Sequence, residues 1–87
     1  IELEEIERAM DRLPGVERGC CVYDADRQKI RGFYTGQAEK KDVHTGLRKR
    51  LPAYMIPGEL KRLDRLPVSR NGKLDRRKLA ETGGGTL

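Results

Sequence analysis

The chain has 87 residues, enough for one small domain, and no apolar run approaches the roughly 20 residues that a membrane-spanning helix requires. Hydrophobic residues make up 36% and charged residues 38%, and because the apolar positions are periodic, we expect a folded domain rather than a disordered segment. The net charge is +5, but residues 48–78 hold eleven basic residues against three acidic ones. Two explanations of this positive charge stay open. The basic half of the chain binds a partner that carries phosphate or acidic groups, or it is simply a surface exposed to solvent.

The first residues read as the interior of a helix, with neither a starting methionine nor a signal peptide. We therefore expect a piece of a longer polypeptide. The adjacent Cys20 and Cys21 lie in an apolar run, which favours buried free thiols, and thiols without a secretion signal predict a cytoplasmic protein. His44 has no second histidine or cysteine nearby, so we expect a surface residue and no metal site.

The first half of the chain predicts a helix followed by a hairpin. Apolar residues recur at three- and four-residue steps over residues 1–13, and Pro14 ends this helical pattern. Two β-prone segments, 16–23 and 30–35, flank the polar turn 24–28, which is typical of an antiparallel hairpin.

The next segment contains a second helix and a proline-bracketed cluster. Residues 40–51 carry apolar side chains at four-residue steps, and Pro52 ends the helix. We expect Met55 and Ile56 to be buried, because the prolines that flank them restrict the chain. Residues 59–66 fit either a short strand or a period of three.

The last segment predicts a tight turn, a helix and a tail. Asn71-Gly72 is a strong signal for a tight turn with positive φ, and it places Lys73 at the edge of an exposed polar loop. A short helix over residues 74–80 follows, with Asp75 as a possible N-cap, and residues 81–87 form a flexible tail. The fold class predicted for residues 1–80 is therefore α+β: a small antiparallel sheet of about three strands packed with two to three helices.

Lys73 is the candidate catalytic residue, with Asn71 and Gly72 as the loop that positions it. A tight turn presents an ammonium group without burying it, and such a compact charge can reach phosphate or carboxylate oxygens. A pocket completed by a partner surface would let this lysine balance charge during phosphoryl transfer. A lysine beside an Asn-Gly turn is otherwise simply solvated, and the tripeptide does not decide between the two.

Three motifs together resemble the C-terminal domain of the adenylate-forming superfamily, which includes acyl-CoA synthetases, peptide-synthetase adenylation domains and luciferases. They are IELEEIE at the start, LPAYMIP at residues 51–57 and NGKLDRRKL at residues 71–79, in this order. The resemblance covers residues 1–80. The forms of the second and third motifs are most similar to those of amino-acid-activating members, namely peptide-synthetase domains and D-alanine–carrier-protein ligases.

This resemblance implies a mobile C-terminal lid, residues 1–80, of an ATP-dependent, AMP-forming ligase. It implies that an N-terminal domain of the same polypeptide binds ATP, Mg²⁺ and the acid, and that Lys73 enters its site to hold the carboxylate and the α-phosphate. The lid then rotates, and the acyl group passes to a phosphopantetheine thiol of an acidic carrier protein or of CoA. The isolated lid is expected to be inactive.

The alternative is a small basic module that binds nucleic acid or an acidic protein without catalysis. The basic half of the chain supports it. The low content of aromatic residues and the lack of an RNA-binding motif or zinc spacing disfavour nucleic acid.

Overall fold

The computed structural model describes residues 2–85, with side chains through residue 81. Within these residues, three helices and three strands follow one another as α1–β1–β2–α2–β3–α3. Their bounds are Leu3–Asp11 (α1), Val16–Asp24 (β1), Lys29–Gly36 (β2), Lys40–Arg50 (α2), Glu59–Arg62 (β3) and Arg76–Gly85 (α3), and Ala53–Met55 forms a 3₁₀ turn. The predicted α+β class is confirmed.

The sheet has the order β1–β2–β3. β1 and β2 form the predicted antiparallel hairpin, in which Cys21 lies opposite Gly32. β3 pairs in parallel with β2, with Arg31 opposite Glu59, so the sheet is mixed and not wholly antiparallel as predicted. The reason is that the chain returns from β2 through α2, and such a crossover delivers the next strand in the same direction, whereas a tight turn would reverse it.

The sheet separates two hydrophobic clusters, because successive side chains of a strand point to opposite faces. On the first face α1 and α2 cover a cluster that contains Ile6, Met10, Leu13, Cys21, Ile30, Tyr34, Val43, Leu47, Leu51 and Met55. On the second face α3 contributes Leu79 to a smaller cluster with Cys20, Val22 and Phe33. The adjacent cysteines therefore lie in different clusters, and both are buried and free, as predicted.

The segment after α2 is extended and then turns back into the sheet. Leu51 adopts φ −125° and ψ 150°, the extended conformation that a following proline favours, and the helix ends there. Met55 is 4% exposed, which confirms its predicted burial, while Ile56 is only partly buried. Residues 59–62 form β3, which settles the open choice in favour of a strand.

The last helix is longer than predicted. The Asp75 Oδ1 atom accepts the N–H of Lys78 at 3.0 Å, so the predicted N-cap is confirmed. α3 then continues to Gly85. The predicted boundary at residue 80 thus falls inside α3, and residues 86–87 of the predicted tail lie outside the described residues.

Candidate functional site

Lys73 lies in a small hairpin that precedes α3. Val68 and Leu74 form an antiparallel bridge, the N–H of Ser69 donates to the carbonyl of Lys73 at 2.6 Å, and the N–H of Gly72 donates to the carbonyl of Ser69 at 2.9 Å. Gly72 has φ +79°. These features are the pattern of a three-residue hairpin loop in which a type I turn is followed by a left-handed residue. The predicted tight turn is confirmed, with the positive φ on Gly72.

The loop residues Asn71, Gly72 and Lys73 are all exposed. A Cβ atom placed on Gly72 would meet no heavy atom within 4 Å, so the loop stands clear of the rest of the described chain. Among the described residues, none of the ion pairs includes Lys73. The main chain of Lys73 is therefore held by hydrogen bonds, while its ammonium group faces solvent.

The hairpin is joined to α3 by hydrogen bonds of Asp75. Its N–H donates to the carbonyl of Pro67 at 2.9 Å, and its side chain caps the helix at Lys78. Leu79, one turn into the helix, is fully buried on the second face of the sheet. The hairpin is therefore held at the start of α3 by Asp75 and by Leu74, which is partly buried against the same cluster.

The outer edge of β1 is covered by acidic side chains of α1. Glu7 and Asp11 lie one helical turn apart, and their carboxylates accept the N–H groups of Cys21 at 2.8 Å and of Gly19 at 2.7 Å. These N–H groups have no neighbouring strand to bond, because β1 is the edge strand of the sheet. The two carboxylates therefore fix α1 against this edge.

Arg76, the first residue of α3, completes this arrangement. Its guanidinium donates to both oxygens of the Glu7 carboxylate, at 2.5 and 3.1 Å, and to the carbonyl of Cys21 at 2.9 Å. It also lies 3.2 Å from the Cys20 Sγ atom. We call Glu7, Arg76 and the main chain of Cys21 the edge clamp. No sequence signal indicated it, since Glu7 is one of several glutamates at the start of the chain.

The edge clamp shifts the ionisation of its members. Burial raises the pKa of Glu7, but hydrogen bonds from Arg76 and from the Cys21 N–H, with the charge of Arg76, outweigh burial and hold this pKa below its usual 4.5. The hydrogen bond with Glu7 raises the pKa of Arg76. Burial raises the pKa of Cys20 to about 12 and likewise raises that of Cys21, so neither thiol is suited to nucleophilic chemistry.

A second arginine attaches the middle of α3 to the sheet. Arg31 of β2 is 2% exposed, and its Nη1 atom donates to the carbonyl of Ala80 at 2.9 Å. Its Nε atom lies 3.6 Å from the Glu59 carboxylate, and the guanidinium lies 5.3 Å from the ring centre of Phe33. The Nε and Nη2 atoms have no hydrogen-bond partner in the described part of the chain.

The best-formed surface grooves of the described residues do not include Lys73 in their lining. The groove next to its hairpin has a volume of about 410 Å³ and is lined mainly by Leu63, Leu66, Pro67, Val68 and Leu79. The described residues therefore present the candidate lysine without enclosing a pocket around it, which agrees with a site that another surface must complete.

Residues 5–73 match the family described as the AMP-binding enzyme C-terminal domain, and this match ends on Lys73. The chain belongs to this family. The resemblance inferred from the three motifs is therefore confirmed.

Curated relatives of this AMP-binding C-terminal domain include large synthetases. The chain is 37% identical over 87 residues to the N-(5-amino-5-carboxypentanoyl)-L-cysteinyl-D-valine synthase of Amycolatopsis lactamdurans, with 94% of this chain and 2% of the relative covered. It is 39% identical over 84 residues to surfactin synthase subunit 3 of Bacillus subtilis (strain 168), with 91% of this chain and 7% of the relative covered. The chain thus spans a small fraction of these relatives.

A solved structure gives the same assignment. The domain superposes on a four-domain nonribosomal peptide synthetase bound to AMP and glycine with a TM-score of 0.78 at 34% sequence identity. The superposition covers 88% of this chain and 6% of the synthetase. The fold of the AMP-binding C-terminal domain is therefore shared with a domain of a peptide synthetase.

In the part of the domain that the structure describes, no three His, Cys, Asp or Glu side chains come together as a set of metal ligands, and His44 is half-buried. Likewise, none of the described helices has the length and the apolar character that crossing a bilayer would demand.

Proposed function

We propose that this chain is the mobile C-terminal domain of an ATP-dependent, AMP-forming ligase that activates a carboxylic acid, in particular an amino acid. The observation that carries the proposal is the exposed Lys73, held in a preformed hairpin and without an ion-pair partner among the described residues. The family and the synthetase relatives support the reaction class. The alternative, a basic binding module without catalysis, gains no support from these relatives.

In this proposal the N-terminal adenylation domain of the same polypeptide supplies the pocket for ATP and the acid. The acid's carboxylate attacks the α-phosphorus of ATP and pyrophosphate leaves, so negative charge is concentrated between the carboxylate and the α-phosphate. The Lys73 ammonium would lie between them and neutralise this charge. Mg²⁺ would be bound with ATP, mainly by the N-terminal domain, because this ion is usually held by substrate phosphates and one or two carboxylates.

The second half-reaction transfers the acyl group from the adenylate to a phosphopantetheine thiol, carried by an acidic carrier protein or by CoA. Residues 48–78, with their local excess of eight positive charges, fit an anionic acceptor. We propose a cytoplasmic reaction, because the chain keeps two free thiols.

The test is Lys73→Ala in the complete ligase, with the two half-reactions measured separately. Acid-dependent ATP–pyrophosphate exchange, screened over amino acids and aryl acids, should fall about 100- to 1,000-fold, the usual loss for one preorganised charge partner. Transfer from preformed acyl-adenylate to the thiol should persist, because the lid has by then rotated Lys73 away. The matched control is Lys78→Ala, another exposed lysine, five residues along the chain.

Two outcomes would contradict the proposal. The assigned role is wrong if Lys73→Ala exchanges pyrophosphate at the wild-type rate, or if both half-reactions fall equally. The isolated 87-residue chain should show no exchange with any acid, so robust exchange by this chain alone would also overturn the model of a lid.

A further inference from the structure

We infer that Arg76 is a positioning residue of the ligase: through the edge clamp it fixes the hairpin that presents Lys73. This inference rests on the proposed function of Lys73 and adds to it a residue that acts through Lys73. Three observations carry it, namely the geometry of the clamp, the exposure of the hairpin and the isolation of the neighbouring Arg77.

The clamp holds the start of α3 from two directions. Arg76 donates to both Glu7 oxygens and to the Cys21 carbonyl, while Glu7 accepts the Cys21 N–H. Glu7 thus binds the N–H of Cys21 and Arg76 binds its carbonyl, while the two side chains also bind each other. The Glu7 side chain is 13% exposed and that of Arg76 is 46% exposed, so solvent competes weakly for the carboxylate. The planar guanidinium suits this two-oxygen contact, which an ammonium cannot reproduce.

Apart from Leu74, which is partly buried against the second cluster, the hairpin is mostly exposed. Val68, Arg70, Asn71, Gly72 and Lys73 are all exposed, and the hydrogen bonds of the hairpin run within it or to Asp75. Asp75 directly precedes Arg76, and its side chain caps the same helix. A small rotation of the first turn of α3 would therefore displace the main chain of Lys73 together with the hairpin.

The remaining contacts of α3 lie further along the helix. Leu79 packs on the second face of the sheet, and Ala80 accepts the hydrogen bond from Arg31. Both contacts hold the helix on the sheet, and Leu74, just before its first turn, is partly buried against the same cluster. Within the first turn, the side chain of Arg76 adds the bond to the main chain of β1. Arg77 is exposed, and among the described residues its side chain makes no hydrogen bond or ion pair, so it is a control of equal charge one position away.

The experiment measures both half-reactions of the complete ligase for Arg76→Gln, Arg76→Lys and Arg77→Gln. Arg76→Gln should lower kcat for adenylation on the order of 100-fold, the loss expected from misplacing a catalytic group by about 1 Å, with little change in the KM for ATP. Arg76→Lys keeps the positive charge but not the planar two-oxygen contact, and it should recover part of this loss. Arg77→Gln should adenylate within about twofold of wild type, and thiol transfer should persist in every variant.

The double variant Lys73→Ala/Arg76→Gln separates positioning from an independent role. If Arg76 acts only through Lys73, the double variant adenylates within about twofold of Lys73→Ala alone. Amide exchange at Ser69, Gly72 and Asp75 should also accelerate in Arg76→Gln and not in Arg77→Gln. This readout holds for the 87-residue chain as well, and a merely global loss of stability would accelerate exchange at the sheet equally.

The inference is wrong if Arg76→Gln and Arg76→Lys adenylate like wild type, if Arg76→Gln impairs both half-reactions equally, or if the two losses multiply in the double variant. These outcomes differ from failure of the proposed function. In that case Lys73→Ala itself would retain adenylation, whatever Arg76 does.

Discussion

Arg76 and Glu7 are 69 positions apart in the sequence, yet their side chains form two hydrogen bonds, at 2.5 and 3.1 Å. Each also bonds the main chain of Cys21, Glu7 as an acceptor and Arg76 as a donor. The two charges of the pair therefore cannot be exchanged: the carboxylate must lie on the α1 side and the guanidinium on the α3 side. A surface ion pair has no such requirement, and this difference can be measured.

Reversing the charges of the edge clamp should not restore stability. Glu7→Arg or Arg76→Glu alone should lower the free energy of unfolding by about 1.5–3 kcal/mol, the value typical of hydrogen bonds to charged groups. The double variant regains an attractive pair but turns a guanidinium toward the Cys21 N–H and a carboxylate toward its carbonyl. Urea denaturation of the chain should therefore find it no more stable than the single variants.

The control for this swap is the exposed pair Lys41 and Glu39, whose charged atoms lie 4.0 Å apart. Reversing it should change the free energy of unfolding by less than about 0.5 kcal/mol. Full recovery of stability in the Glu7/Arg76 swap would show that the clamp is an ordinary ion pair and that its bonds to Cys21 contribute nothing.

Acid should weaken the domain partly through Glu7. Its pKa in the folded chain lies below the usual 4.5, so in the range below that value the unfolded chain binds the proton more readily than the folded chain. The stabilisation is present above pH 4.5 and is lost as the pH falls through the lowered folded pKa. The difference in unfolding free energy between wild type and Glu7→Gln should therefore shrink over this range.

The control for the pH series is Glu4→Gln, an exposed glutamate of the same helix that has no ion pair within the described chain. Its stability should follow that of wild type. A Glu7→Gln variant whose deficit stays constant from pH 7 to pH 3 would mean that ionised Glu7 gains nothing from Arg76.

The thiols of Cys20 and Cys21 should not react with thiol reagents in the folded domain. Cys20 and Cys21 are both 0% exposed, and burial raises the pKa of Cys20 to about 12 and raises that of Cys21, so little thiolate forms at pH 8. A chromogenic disulfide reagent should label both thiols only as fast as the chain unfolds. Rapid labelling of either thiol without denaturant would show that one face of the sheet opens.

Met55 should contribute more to stability than its neighbour Ile56. Met55→Ala removes a side chain that is 4% exposed in the main cluster and should lower the free energy of unfolding by about 2–5 kcal/mol. Ile56 is only partly buried, so Ile56→Ala should cost about 1–2 kcal/mol. Equal losses in thermal or urea unfolding would mean that the segment moves as a unit and buries both side chains.

The local elements could be predicted because their causes are local. The periodicity of residues 1–13, the turn at 24–28 and the Asp75 cap depend on side chains within a few positions, so the pattern in the sequence suffices. The same holds for Lys73, since the Asn-Gly turn that presents it is closed by its own hydrogen bonds. Even the division of Cys20 and Cys21 between two faces follows from the alternation of a strand.

Tertiary structure alone decided the direction of β3 and the edge clamp. β3 runs parallel to β2 because α2 carries the chain across the sheet, and the sequence of the strand itself does not indicate this direction. Glu7 stands in a run of glutamates and Arg76 in a run of basic residues, so composition does not mark them as partners. Only the packing of α1 and α3 against the same edge of β1 brings the Glu7 and Arg76 side chains together. In the role proposed for Arg76, the position of the Lys73 hairpin relative to the sheet depends on this contact.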